Sequence, residues 1–249
     1  MALGLGTGLG KGGIIGSIPG VVTDNLVMKH MYPAGAVHPV SDGAAYFVRS
    51  ATDAITLPMG AAFTPMVTGF SATMWVKLND TTNSQMLLAC ANGTEQRMYI
   101  AAHAGTPSEW DFGLGNSQWT AGATDVTTEW THIALTYDGP GDDAWLYVNG
   151  VADRNDSDND ADSFTDGTFG GNFSIGAHGD ATSTTYALDG YMSNVGIWTR
   201  ELTQPEVKSI MWKSYSDLST DDVASLQGWY NLDVDASDSH STENDGVFR

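Results

Sequence analysis

The chain has a single cysteine, Cys90, set in the apolar stretch MLLACA. An intrachain disulfide is therefore excluded and a zinc cluster has no ligand set, so Cys90 reads as a buried structural thiol. Basic residues are also scarce. Ten Lys and Arg against 30 Asp and Glu leave a formal charge of −20 over 249 residues. A field of that sign repels nucleic acid and anionic membrane and leaves cations and cationic surfaces as partners. No apolar run approaches the length of a membrane span, and the opening segment lacks the continuous apolar core of a secretory signal. There is no Gly-x-Ser-x-Gly elbow, phosphate loop or His-Glu-x-x-His motif, and the six His are scattered.

The acid that is present is mostly aspartate, 24 Asp to 6 Glu. Aspartate favours turns because its short carboxylate bonds nearby backbone amides, which places the charge in connections. Residues 1–23 differ from the rest: glycine recurs at 4, 6, 8, 10, 12, 13, 16 and 20, and no acid appears before Asp24. So much glycine makes autonomous folding costly in backbone entropy, so the segment reads as an extended arm that orders on a partner. Residues 24–43, with Pro33 and Pro39, read as an extended connector.

From Ala44 onward a period of two dominates. In FSATMWVKL, Phe70, Ala72, Met74, Val76 and Leu78 alternate with Ser71, Thr73, Trp75 and Lys77. WTHIALTYDGPGDDAWLYVNG repeats the pattern on both sides of a Gly/Pro/Asp connection and reads as a hairpin. Further strands are expected at 44–48, 53–57, 85–91, 97–101, 109–114, 172–177 and 185–198. So many short strands with little helix between them define an all-β protein of antiparallel sheets packed face to face. The period changes in LTQPEVKSIMWKSY, where Thr203 precedes Glu206 by three and Pro205 sits in the first turn. That capping box predicts a helix over 204–215, with a second helical turn at STDDVASL and a closing strand at 227–234.

Taken in order, FSATMWVKL, EWTHIALTYDG…AWLYVNGV, NFSIGAH and ALDGYMSNVGIWTRELTQPEV resemble the laminin G-like branch of the concanavalin A-like jelly rolls. The resemblance spans residues 44–208 and implies a two-sheet jelly-roll sandwich. With the arm 1–43 set apart, the domain is expected to occupy 44–249. Members often read Gly-x-Ile-Asp-Glu where this chain reads GYMSN, so Ser193 and Asn194 stand where acids would be, and no role of those acids carries over. The family's tryptophan-bearing strand with its Asp-rich loop often begins the domain. Here its counterpart GWYNLDVDASDSHSTENDG lies at the C-terminus, as in a permuted sandwich closed by its last strand.

Three places invite chemistry. Glu109 and Asp111 in SEWDFGL put two acids on one strand face, as a retaining glucanase would require. No Glu-x-Asp-x-x-Glu cluster accompanies them, so the pair reads as a solvated strand edge and the protein as no enzyme. The loop DRNDSDNDADSFTDG offers Asp156, Asp158, Asp160 and Asp162 as oxygen ligands for calcium. An EF-hand starting at Asp156 would need Gly and Glu where Ala161 and Gly167 stand, so the loop reads as solvated acid with at most weak Ca²⁺ binding and no cofactor. The third is tryptophan. The eight tryptophans could form a sugar platform, but strand packing explains most of them, and Trp75, Trp145 and Trp198, opposite the core positions, are expected to pack on a neighbouring segment or subunit.

Two functions remain in view. VVTDNLVMKHMYPAGAVHPVSDGAAYF resembles the leader of marine bacteriophage structural proteins, which implies a non-enzymatic virion protein of the capsid or tail. On that reading the protein is multicopy or homo-oligomeric, docks its arm on other virion structural proteins, and turns the jelly roll outward, toward a host-surface glycan. The alternative is a carbohydrate-binding lectin or adhesin module outside any virion. Neither involves nucleic acid or membrane insertion. In the arm, Leu3, Leu5, Leu9, Ile14, Ile15 and Ile18 are the expected anchors. Burying each contributes roughly 1.5–3 kcal/mol against an ordering cost of roughly 1–2 kcal/mol per residue. Deleting residues 1–23 is therefore expected to abolish incorporation into the particle, scored by copy number in purified particles; unchanged incorporation would contradict the anchoring role.

Overall fold

A computed structural model of the chain describes residues 40, 43–51, 53–58, 68–92, 95–106, 108–114, 120–139, 143–156, 171–178, 186–241 and 244–249. The chain divides into two units, Met1–Gly35 and Ala36–Arg249, and every described residue belongs to the second. The strands are β1 (Ala45–Phe47), β2 (Ile55–Leu57), β3 (Phe70–Leu78), β4 (Gln85–Asn92), β5 (Glu95–His103), β6 (Glu109–Leu114) and β7 (Thr120–Asp125). They continue with β8 (Thr131–Tyr137), β9 (Ala144–Val148), β10 (Val151–Asp156), β11 (Phe173–Ile175), β12 (Gly190–Trp198), β13 (Leu226–Tyr230) and β14 (Val247–Phe248). An α-helix, α1, spans Gln204–Ile210.

The first sheet runs β1-β12-β3-β8-β9-β10, with β13 also paired to β12; the second runs β14-β2-β11-β4-β5-β6-β7. Each strand pairs antiparallel with its neighbours, so the two-sheet sandwich expected from the alternation is what forms. The alternation also chooses the inner faces. Phe70, Met74, Val76, Ile133, Leu135 and Leu146 of the first sheet meet Leu88, Cys90, Ile100, Phe112, Phe173 and Ile175 of the second, all excluded from solvent. Phe70 and Phe173 stack across the gap with centroids 6.0 Å apart and planes within 7°. Cys90 is a buried, reduced cysteine in this layer, its Sγ–H donating to the Gly171 carbonyl at 3.7 Å.

Outside the first sheet lies a third layer, and it explains the outward tryptophans. Trp198, Trp229, Ala134 and Tyr147 pack beneath Leu202, Val207, Ile210 and Leu226, with Trp145 and Tyr215 at the margin. The indole N–H of Trp198 donates to Asp222 O at 2.7 Å and that of Trp75 to Met211 O at 2.8 Å. These side chains therefore pack on the chain's own C-terminal segment. The same bond accounts for a shorter helix than the 204–215 expected. α1 starts on the predicted capping box, the Glu206 carboxylate accepting the Thr203 N–H at 2.7 Å, and its last turn is closed by Met211 under Trp75. The chain then re-enters as a 3-10 turn at Tyr215–Asp217 with its own cap at Ser214.

Two strands lie where the sequence carries little apolar alternation. β10 begins after Asn149 (φ 51°) and Gly150 (φ 74°), whose left-handed backbones form the two-residue turn that lets Val148 face Val151. Its Asp153, counted with the acidic loop in the sequence reading, accepts the Ala123 N–H at 2.9 Å and the Thr124 hydroxyl, tying β10 of the first sheet to β7 of the second. The strand expected at 185–198 starts only at Gly190, and the closing strand ends at Tyr230, with Leu232 in left-handed conformation (φ 57°) turning the chain out.

The C-terminal segment closes the sandwich by joining both sheets: β13 lies on β12 in the first, β14 on β2 in the second. Buried Asp238 organises the crossing, Oδ1 accepting the amides of Trp229 (2.9 Å) and His240 (2.8 Å) while its own N–H donates to Asp245. Ser193 and Asn194 are buried at the irregularity in β12, where Asn194 has φ 49°.

Removing one indole donor tests this layer. Trp75→Phe keeps the ring but leaves the Met211 carbonyl without that bond, and is expected to cost about 1–3 kcal/mol in denaturant unfolding. No change would mean the C-terminal segment is held by other means.

Candidate functional site

Two outer faces carry the chemistry-bearing side chains. The first belongs to the second sheet, where Glu109 and Asp111 project from β6. The expectation of a solvated strand edge is corrected: β6 is internal, flanked by β5 and β7, and the Asp111 side chain is wholly buried. Neither Asp111 oxygen accepts a hydrogen bond from a described residue; His103 Nδ1 stands 3.8 Å from Oδ2. Burial, reinforced by the Glu109 charge, pushes the Asp111 carboxyl up to about 8, and the nearby Tyr99 phenol is raised by its own burial and by Asp111.

A raised carboxyl beside a second acid is the pattern of a general acid. The surroundings deny it that role. Asp111 offers a substrate no exposed surface. The third position of a Glu-x-Asp-x-x-Glu cluster is Leu114, inside the core. Gly113, the next residue on the outer face, lies under the Tyr99 ring, which a Cβ there would strike. The Asp111 carboxylate is thus unreachable, and its neighbour Glu109 is the acid of the pair that meets solvent.

The second face is the open end of the first sheet. Tyr46 of β1 pairs with Tyr191 of β12, and Tyr191 with Lys77 of β3. Val76 pairs with Thr131, so Trp130 takes the following position beside Lys77. Strands β1, β12 and β3, with the residue leading into β8, thus deliver Tyr46, Tyr191, Lys77 and Trp130 in one transverse row, on the face opposite the core. The row is accessible: Tyr46 is 51% exposed and the other three are half-buried. Tyr46 and Tyr191 have centroids 4.7 Å apart, and Trp130 reaches to 6.4 Å from Tyr191. Trp75, two residues along β3 from Lys77, continues the aromatic surface under Trp212, which is 58% exposed.

Polar groups rim one end of the row. Asn79 Nδ2 donates to the Tyr46 hydroxyl at 3.1 Å and to Asp189 Oδ1 at 2.6 Å. Gln85 accepts the Asp189 N–H and donates to Asp80 O, and Asp80 stands 3.9 Å from Arg49. Rings flanked by side chains able both to donate and to accept suit a ligand with apolar C–H faces and equatorial hydroxyls.

The sequence reading did not find this row. Its members sit at the outward positions of their strands, but only the register of β1, β12, β3 and β8 makes them neighbours. Of the expected ligands, Asp156 ends β10 opposite Ala144. Its side chain, together with Asp158, Asp160 and Asp162, lies outside the described residues, as do Leu3, Leu5, Leu9, Ile14, Ile15 and Ile18. Among the described residues no group of three or more His, Cys, Asp or Glu is placed to hold a metal, and no helix is long and apolar enough to cross a membrane.

Comparison with known proteins places this architecture. The family model of the concanavalin A-like lectin/glucanases superfamily matches residues 49–208, more than half of the chain, and the chain belongs to that family. No curated protein matches it significantly. Among solved structures, one similar fold is a Bacteroides ovatus protein assigned to carbohydrate binding, at 19% identity and TM-score 0.59, covering 83% of this chain and 57% of that one. The chain thus spans little more than half the length of that relative. Another is the CBM40 of the Ruminococcus gnavus IT-sialidase, at 14% identity and TM-score 0.50, covering 71% of this chain and all of that one.

Asp111 sets a pH signature. Its carboxyl ordinarily titrates near 4 and here near 8, so the folded state holds a proton that the unfolded chain has released. The stability it contributes is full below about pH 4 and is lost as pH rises toward 8. Buried His132 works the other way. Burial pushes its imidazole down to about 3, so it costs stability only as pH falls below about 6.5. Of these two groups, only Asp111 acts between pH 6.5 and 8. From Asp111 the protein is expected to lose roughly 1–2 kcal/mol over that window, a loss that Asp111→Asn removes. Parallel pH profiles for the two proteins would contradict the buried, protonated acid.

Proposed function

We propose that this domain is a non-catalytic carbohydrate-binding module whose ligand lies on the Tyr46–Tyr191–Trp130 row. The observation that carries the reading is the juxtaposition of those three accessible aromatic rings with the Asn79–Asp189–Tyr46 hydrogen-bond rim. Rings stack on the C–H face of a sugar, and the rim fixes its orientation by meeting hydroxyls. Rigid strands hold the rings, so little conformational entropy is lost on binding. The absence of catalysis rests on Asp111, which no substrate can touch, and on Gly113 and Leu114, which supply no second carboxylate. Two proteins of similar fold carry a carbohydrate-binding description, which supports the reading.

A second reading concerns where the module is displayed. The leader resemblance in residues 21–47 favours a phage particle, with residues 1–43 docked on other virion structural proteins and the module facing a host-surface glycan. The two readings are compatible, because the first concerns what the domain binds and the second what carries it.

Screened on a glycan array, the full chain is expected to bind at least one glycan, and Tyr191→Ala to weaken that binding about tenfold or more with the melting curve preserved. Undiminished binding by Tyr191→Ala would move the site elsewhere.

A further inference from the structure

If the row binds carbohydrate, as proposed above, its geometry also narrows the ligand. Neighbouring rings are not coplanar: the planes of Tyr46 and Tyr191 meet at 35° and those of Trp130 and Tyr191 at 53°. A crystalline polysaccharide presents its sugars in one flat layer, and only coplanar rings can stack on several of them together. Tilted rings instead meet sugars whose faces turn relative to one another, as they do along a single hydrated chain.

Charge narrows it again. Lys77 stands within the row and makes no ion pair with a described residue, and Arg49 is placed at the rim. Against them stand Asp80 and Asp189 in the rim and exposed Glu129 beside Trp130, so the site carries no excess of positive charge. The whole chain carries −20. A polyanionic glycan would enter a repulsive field with no cationic cluster to receive it. Lys77 is then a hydroxyl donor with three N–H bonds to give, matching Asp189, whose carboxylate accepts.

We propose that the row binds individual neutral polysaccharide chains, and neither crystalline polysaccharide surfaces nor anionic glycans.

Affinity electrophoresis of the full chain tests this, in gels containing galactomannan, xyloglucan or soluble starch, in gels containing polygalacturonate, and by co-sedimentation with microcrystalline cellulose. Expected is retardation by at least one neutral polymer, unchanged by 0.5 M salt, and weakened about tenfold or more in both Tyr46→Ala and Tyr191→Ala. Retention only by polygalacturonate and lost in salt, or only by cellulose, in either case sensitive to Tyr191→Ala, overturns this proposal and leaves carbohydrate binding standing. Retention that survives both substitutions removes the ligand from this row. Retention by none of the polymers overturns the carbohydrate reading and this proposal with it.

Discussion

Strand β12 has two hydrogen-bonding edges, and three strands use them. β3 takes one edge from end to end. The other is divided: β1 pairs with Gly190–Met192 and β13 with Val195–Trp198. The join falls at the irregularity around Ser193 and Asn194, where one residue must adopt left-handed backbone. Everything distinctive about the outer face derives from that division. The half beside β13 inherits the C-terminal segment, which covers Trp145, Trp198 and Trp229 and accepts a hydrogen bond from Trp75. The half beside β1 keeps Tyr46 and Tyr191 accessible.

The two outer faces thus differ in kind. On the second sheet, an acid on the outer face is buried and its carboxyl is pushed up to about 8, and Tyr99 fills the space where another functional group would have to stand. On the first, Tyr46 and Tyr191 project from strands whose inner sides are packed against the second sheet, so a packed sheet presents the surface. The proposed recognition of uncharged hydroxylated ligands needs no cationic patch, because stacking and hydrogen bonding need neither sign of charge.

Much of this architecture was legible in the sequence, for identifiable reasons. Alternation in FSATMWVKL and THIALTY marks strands with one face in the core, and Phe70, Met74, Ile133 and Leu135 are indeed there. Thr203 and Glu206 announce the helix start through a local bond. Its end was not legible, because Met211 is held by Trp75, a residue far away in the chain. β7 and β10 were missed because TAGATD and VADRND lack apolar alternation; Asp153 bonding across the sheets compensates. The solvated-edge reading of Asp111 failed because exposure depends on what lies over a strand. The aromatic row was invisible for a similar reason: Tyr46, Lys77, Trp130 and Tyr191 become neighbours only through strand register.

The central claim is that ligand binding belongs to the open half of the first sheet. Amide chemical-shift mapping during titration of the full chain with a bound oligosaccharide tests it most directly. The account predicts perturbations confined to Tyr46, Lys77, Asn79, Trp130, Asp189, Tyr191 and their neighbours. Perturbations centred instead on Tyr99, His103 and Glu109, on the outer face of the second sheet, would contradict it.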